Sequence, residues 1–430
     1  MADRAGNEDR DRHSNEDRDW HSNEDRDRHS NDEHRDKTVR LRGAESAVVA
    51  AARRVRDPLP GTCGFAGLLA GEFVDGGDYS ATSGLLVRDV LGREPLFVDS
   101  SAVDPTRTAA WSFDPTTLQD PRSVAAGSVV DSDGSRIVWT LPSPDPVSAA
   151  EGQETLNMSL EAVVSALDSD GLAVAFSGGV DSGVVAAGVP DAPCYVTGFE
   201  GCHDIAAARA AATRMDCDLR VVTLTHDDVT RAIVEIVAAT GRQNPMDLNI
   251  AVPLYLTAEA AATDGFDRLA VGQGADELFG GYSKVVDPAT DHRVAATTVR
   301  GARDETLCTL PTQLERDVLT IRAVGVEPVA PLLDDRIVRA ALQLPGSLLV
   351  NSTERKVAFR RAASPYVPES VRNAEKKAVQ YGTYVAREID RLARQNGFKR
   401  RMDDHVEQYV QWLCAERTEG ATDGKPETRP

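Results

Sequence analysis

The six residues Ser177-Gly178-Gly179-Val180-Asp181-Ser182 follow one apolar run, LAVAF, and lead into another, VVAAGV. Two adjacent glycines let a backbone turn sharply and approach a ligand closely. Ser177 and Ser182 add hydroxyl donors. A helix opening directly after this loop would present free N–H groups and the positive end of its dipole to an anion. The combination fits phosphate or pyrophosphate. It is not the lysine-bearing P-loop, because GxxxxGK[ST] is absent. Asp181 would repel a bare phosphate, so a Mg²⁺ ion between the two is implied. The alternative is an ordinary tight strand–helix turn with a capping aspartate. A second glycine-rich stretch, VGQGADELFGGYSK at 271–284, carries the adjacent carboxylates Asp276 and Glu277.

Such loops need a scaffold, and the surrounding sequence supplies one. From residue 172 onward the pattern predicts strands at 172–176, 194–199, 219–224 and 268–272. Helices are predicted at 182–188, 203–215, 227–239 and 249–263. Strands alternating with helices predict a parallel sheet covered on both faces. In such sheets ligands sit where strands end and helices begin. Beyond about 312 the chain reads as mainly helical. Upstream, 44–55 and 156–167 read as helices, and 60 to about 142 reads as short strands separated by turns such as DGGD and DSDGS. The predicted organisation is a tail at 1–42, a β region at 43–150, the α/β domain at 151–400, and a C-terminal helix and end at 401–430.

Composition narrows the classes. The 430 residues carry 68 acidic against 48 basic side chains, a net charge of −20, and only seven lysines. No basic patch dominates, so nucleic acid is not an expected partner. No uncharged apolar run is long enough for a membrane helix, and no signal peptide opens the chain. A cytoplasmic protein is expected, with an acidic, lysine-poor surface of the kind found in salt-loving microbes. The six cysteines form no CxxC pair, which argues for reduced, structural thiols. Residues 7–36 repeat the octad NEDRDRHS. This segment cannot bury a core, and its eight-residue spacing does not converge histidines on a metal. It reads as a solvated tail or an over-extended reading frame.

SGGVDS as a whole resembles the PP-loop of ATP pyrophosphatases. GQGADELFGGY resembles the SGEGSDEVFGGY pattern of class B asparagine synthetases. VEPVAPLLDDRIVRAALQLP at 326–345 resembles that family's VEARVPFLD stretch. ERKVAFRRAASPYVPESV and EKKAVQYGT follow in family order, so the resemblance spans about 172–385. The fold it implies is an adenine-nucleotide α-hydrolase-like (PP-loop) synthetase domain with a helical C-terminal part. The activity it implies is attack of the aspartate side-chain carboxylate on the α-phosphate of ATP. β-Aspartyl-AMP and pyrophosphate form, and ammonia then displaces AMP. ATP and Mg²⁺ are the implied cosubstrate and metal.

Carried over residue by residue, Ser177, Gly178, Gly179, Asp181 and Ser182 would hold pyrophosphate and Mg²⁺. Phe176, Thr197 and Gly272 stand where the family's backbone meets the nucleotide. Asp276 and Glu277 stand at its acidic pair, where metal binding and network support are both open, and Asp276 joins Asp181 as a candidate metal ligand. Lys376 stands at the catalytic lysine, with Lys356 a secondary candidate. Gln273 departs from the pattern, which has a glutamate thought to handle the substrate amine or the attacking ammonia. Glutamine keeps hydrogen bonding but cannot act as a base. A different acceptor carboxylate, or a non-catalytic nucleotide-binding role, therefore stands beside aspartate activation.

The family's glutaminase begins at a free N-terminal cysteine in the form CGIxG. Here CGFAGLL starts at Cys63, inside the chain, and LVRDVLGREPLFV at 86–98 resembles the later RDxxGxxPL stretch. Only 25 residues separate Cys63 from Arg88. No NGEIYN-like glutamine-binding segment lies between them. A shortened, inactive glutaminase remnant is expected, with free ammonia, or ammonia handed over by a partner enzyme, as nitrogen source.

Overall fold

The computed structural model describes residues 40–70, 84–374 and 379–422. Leu41–Pro430 forms a compact unit of its own. The octad repeats and Lys376 lie outside the described residues.

Period-2 patterning builds the N-terminal layers. After β1 (Leu41–Arg42) and helix α1 (Ser46–Val55) come β2 (Ala66–Leu69), β3 (Leu85–Arg88), β4 (Phe97–Asp99), β5 (Trp111–Ser112), β6 (Pro121–Ser123), β7 (Ser128–Asp131) and β8 (Gly134–Ile137). One antiparallel sheet runs β1-β2-β3-β7-β8, and a smaller one runs β5-β4-β6. Successive strand side chains point to opposite faces. Ala66, Leu68 and Leu86 therefore pack with Leu96, Trp111 and Val124 between the two sheets. Leu69, Leu85 and Val87 point the other way, into the main core with Leu156 and Leu160. All residues of β2 and β3 are buried, as a middle layer requires.

Helix α2 (Ala149–Val164) opens where Ser148 Oγ accepts the Glu151 N–H at 3.3 Å. The helix expected at 156–167 thus begins about two turns earlier, because the cap precedes its apolar periodicity. The α/β domain follows: β9 (Leu172–Ala175), α3 (Val180–Gly188), β10 (Cys194–Gly198), α4 (His203–Met215), β11 (Leu219–Thr223), α5 (His226–Thr240), α6 (Pro245–Thr263) and β12 (Arg268–Ala270). The short helix α7 (Ala275–Phe279) and α8 (Leu310–Arg322) precede β13 (Glu327–Val329). These strands form a parallel sheet in the order β11-β10-β9-β12-β13. Val174, Cys194 and Val196 face α3 and α4 through Val184, Ala208 and Ala211. Ala173, Tyr195 and Leu269 face α6 through Ala258 and Ala261. Both faces are covered, as the alternation predicted.

β13 lies in the stretch read as helical. It has three residues with Pro328 at its centre. Proline cannot donate to a ladder, which confines it to an edge, and β13 is the edge. The remaining helices include α9 (Asp335–Leu342), α10 (Val357–Ala362), α11 (Val385–Gln395) and α12 (His405–Thr422). Ile389 and Leu392 of α11 and Tyr409, Val410 and Leu413 of α12 share a core with Ile233 and Ile236 of α5. Among the described residues no helix is long and apolar enough to cross a membrane.

Candidate active site

β9 and β12 lie side by side at the centre of the parallel sheet, and the chain's direction of travel reverses between them. β10 and β11 follow on one side and β13 on the other. A switch point of this kind opens a crevice beyond the carboxyl ends of the strands. SGGVDS leaves β9 and GQGADE leaves β12, so the topology delivers both motifs to one crevice. They touch: a Cβ at Gly272 would lie 3.0 Å from Asp181 Cβ and from the Ser182 nitrogen.

The PP-loop is shaped by its glycines. Gly178 has φ +74°, and a Cβ there would meet the Ala207 backbone of α4 at 2.7 Å. Gly179 precedes α3 and, having no side chain, caps none of the first N–H groups of that helix itself. Ser182 Oγ accepts the Ser177 N–H at 3.2 Å and lies 3.4 Å from the Gly179 carbonyl oxygen, closing the loop on itself. Phe176 is buried, its N–H bonded to the Tyr195 carbonyl at 2.7 Å. Thr197 is buried on β10, and Thr257 of α6 takes up its hydroxyl at 2.7 Å.

At the mouth of the crevice stands Lys356. Its ammonium donates to both oxygens of Asp181, at 2.8 and 2.7 Å, and lies 2.7 Å from Asp276 Oδ1. The side chain is buried. Burial alone would pull its pKa down, but the Asp181 and Asp276 charges outweigh that and hold it above the usual lysine value. The backbone is unusual too: Lys356 adopts φ +57° before α10. Gly281 makes room for the triad, since a Cβ there would lie 1.7 Å from Asp276 Oδ1 and 2.5 Å from Lys356 Cε. The structure therefore brings Asp181, Asp276 and Lys356 together.

Among the described residues no three His, Cys, Asp or Glu side chains converge as a metal cage. Mg²⁺ does not demand one, because it keeps several waters and takes one or two carboxylates alongside substrate phosphates. Two carboxylates already focused on a cation fit that donor set.

Glu277 points the other way. It is buried, with the Tyr282 hydroxyl donating to Oε1 at 2.5 Å. Burial pushes its pKa up and the tyrosine hydrogen bond partly offsets this. Of the acidic pair, Asp276 faces the charge cluster and Glu277 supports the loop. Gln273 donates its Nε2 amide to Asp317 Oδ2 on α8. Asp317 was not singled out from sequence. Its signal was the run Glu315-Arg316-Asp317, flanked by Leu314, Val318 and Leu319. Three consecutive charges span too much of a helix circumference to share one solvated face, and all three are buried.

The Cys63 loop is tied down differently. Asp335 Oδ2 accepts the Gly61 and Thr62 N–H groups at 3.0 and 2.8 Å, and the Cys63 thiol donates to Asp334 Oδ2 at 3.4 Å. Cys63 retains an exposed edge, yet burial of its sulfur, and then the Asp334 carboxylate, push the thiol up to about 12. The upstream chain is woven into the sheet, with Leu41 paired to Gly67 and Arg42 to Ala66. The RDVLGR stretch acts as a clamp. Arg93 bridges Asp89 and Asp335, each at 2.8 Å, and buried Arg88 reaches Glu315 at 3.2 Å.

Comparison with known proteins fits this geometry. The asparagine synthase family model matches residues 158–307 and 300–413. A Methanocaldococcus jannaschii protein named asparagine synthetase [glutamine-hydrolyzing] 1 is 26% identical over 285 residues, covering 57% of this chain and 52% of its own. A Schizosaccharomyces pombe relative with the same type of name is 23% identical over 226 residues, covering 50% and 40%. Escherichia coli asparagine synthetase B is 24% identical over 229 residues, covering 49% and 41%. The chain thus spans about half the length of the curated relatives it matches, or less. With the family model matched over more than half its residues, and with a PP-loop and an acidic second loop meeting at the switch point of a parallel sheet, this chain belongs to the asparagine synthase family.

Proposed function

We propose that this chain is an ATP-dependent amide ligase that activates the aspartate side chain as β-aspartyl-AMP and transfers it to ammonia. The observation that carries this reading is the Asp181–Lys356–Asp276 triad beside the PP-loop. In the first step a carboxylate oxygen bonds to the α-phosphorus and pyrophosphate leaves. The α3 N-terminus and the Ser177 and Ser182 hydroxyls would hold the departing pyrophosphate. Mg²⁺, when bound at Asp181 and Asp276, would supply charge neutralisation between carboxylates and phosphates. Lys356 would trade its carboxylate partners for phosphate oxygens as negative charge builds there. Lys376, at the family's catalytic lysine position, is a second cation proposed for the same task. In the second step the ammonia nitrogen bonds to the activated carbonyl, loses a proton, and AMP leaves.

Ammonia rather than glutamine is favoured by Cys63. A glutaminase of this type needs the cysteine's own free amine as base. Here that nitrogen is a peptide nitrogen, the preceding chain is part of a sheet, and the thiol is held neutral near pH 7. The β region is read as an inactive remnant whose Arg88 and Arg93 clamp the synthetase domain. A cytoplasmic setting and supply by an ammonia-producing partner enzyme belong to the same proposal. One observation favours a second reading: Gln273 replaces a charged side chain in the crevice, which would suit a different acceptor carboxylate. Pyrophosphate release from Mg-ATP separates the two. Release that requires aspartate supports the first, and release only with another carboxylate supports the second. Formation of ADP would refute both.

A further inference from the structure

We infer that Asp317 is a positioning residue for Gln273, fixing its amide so that Oε1, not the NH₂ group, faces the crevice. This rests on reading the crevice as the amide-forming site. Asp317 is buried, and Arg316 donates to both of its oxygens, Nε to Oδ1 at 2.7 Å and Nη2 to Oδ2 at 3.1 Å. Arg316 is held in turn by Asp247 at 2.9 Å, Asp247 by Arg242 at 3.1 Å, and Arg242 by Glu315 at 3.1 Å. Glu315 meets Arg88 of the β region. This alternating chain of charges leaves Asp317 no freedom to turn away.

Burial raises the pKa of Asp317, but both its oxygens already accept hydrogen bonds from Arg316. A carboxylate paired in this way offers acceptors, and the Gln273 amide meets it with its NH₂. The carbonyl oxygen is left on the opposite side of the amide. Among the described residues nothing donates to that oxygen. Gln273 follows Gly272, whose backbone packs on the PP-loop, so the Gln273 side chain leaves that loop's edge with the free acceptor on the side away from Asp317. It can receive an N–H from the attacking ammonia or from the substrate's amino group, as a glutamate oxygen would, without carrying charge. The pairing also accounts for the departure from glutamate. A glutamate at 273 would place two carboxylates in hydrogen-bond contact inside a buried network.

The test is a double-mutant cycle of Gln273→Glu, Asp317→Asn and the two combined. It is read by thermal unfolding and by steady-state kinetics with ammonium and with ATP. Gln273→Glu should lower the unfolding midpoint and reduce kcat/KM for ammonium on the order of tenfold or more. Asp317→Asn lets the amide flip, so KM for ammonium should rise severalfold while KM for ATP stays put. The double variant should regain stability and most activity, because the amide introduced by Asp317→Asn can donate to the new carboxylate. Gln273→Met, which leaves Arg316 undisturbed, should raise KM for ammonium as Asp317→Asn does. Additive losses in the double variant, or a Gln273→Glu protein as stable and active as wild type, would overturn the inference. A wild type with no carboxylate-dependent pyrophosphate release would refute the functional reading instead, and the unfolding midpoints would still test the coupling.

Discussion

Lys356 holds two carboxylates at hydrogen-bond distance in the crevice beside the glycine-rich SGGVDS loop. An ion cluster of this kind contributes little net stability, but removing Lys356 takes away the buried cation that lies between the two carboxylates. Lys356→Met should therefore act twice. It brings Asp181 and Asp276 together without the cation between them, which should cost roughly 1–2 kcal/mol in denaturant unfolding, less than a fully buried pair because water reaches the Asp276 side chain. It should also lower the rate of pyrophosphate release by roughly two to three orders of magnitude, the usual effect of losing one preorganised charge at a reacting centre. Asp181→Ala should abolish release, and normal turnover in that variant would refute the loop assignment. Cys63 should be inert. Cys63→Ala should leave ammonium-dependent turnover unchanged, and iodoacetamide at pH 8 should not inactivate the wild type. Because burial and Asp334 raise the thiol's pKa, Cys63 should alkylate more slowly than a free cysteine between about pH 8 and 9. A glutamine-dependent activity lost in Cys63→Ala would contradict this.

Gly281, between α7 and the 283–285 turn, shows how an element's backbone sets the site. Gly281→Ala would drive a methyl into Asp276 and Lys356, so activity should collapse while the sheet stays folded by circular dichroism. At the C-terminus, α11 is held by ionised carboxylates. Burial works against the Glu388 charge, but His226 at 2.9 Å and then Arg387 outweigh it and keep its pKa low. Asp390 is depressed by Arg400, then by His405 and Arg394. Carboxylates with depressed folded pKa values contribute stability above the unfolded value of about 4 and lose it as pH falls below. Amide exchange in α11 and α12 should therefore accelerate below about pH 4 before the β9–β12 strands respond. Much of this architecture was legible. The alternation from 172 onward marked the sheet, and α4 at His203–Met215 has its predicted bounds. SGGVDS and GQGADE marked the loops because short motifs carry backbone geometry. β13 was not legible, since three residues around a proline carry no strand periodicity. Nor was the rank of the lysines. Lys356 stood behind Lys376 in the sequence, and only the fold shows the former between two carboxylates, while Lys376 lies outside the described residues. Asp317 was hidden because its partner lies 44 positions away in the chain.

Across the whole chain, a net charge of −20 with only seven lysines makes ionic strength a stability variable. At 1 M salt the screening length falls to about 3 Å, which quenches repulsion between surface carboxylates. The unfolding midpoint should rise by several degrees between about 0.1 and 2 M KCl, and a fall would contradict the reading of this surface as adapted to salt. The β region and the synthetase domain should unfold together, because Arg88–Glu315 and Arg93–Asp335 join them through buried charges. The deciding measurement follows oxygen. Aspartate labelled with ¹⁸O in its side-chain carboxylate is incubated with Mg-ATP and ammonium in high salt, and the products are weighed by mass spectrometry. If the carboxylate attacks the α-phosphate, asparagine forms and AMP carries one ¹⁸O from the substrate. Unlabelled AMP, or ADP in its place, would contradict adenylation of aspartate.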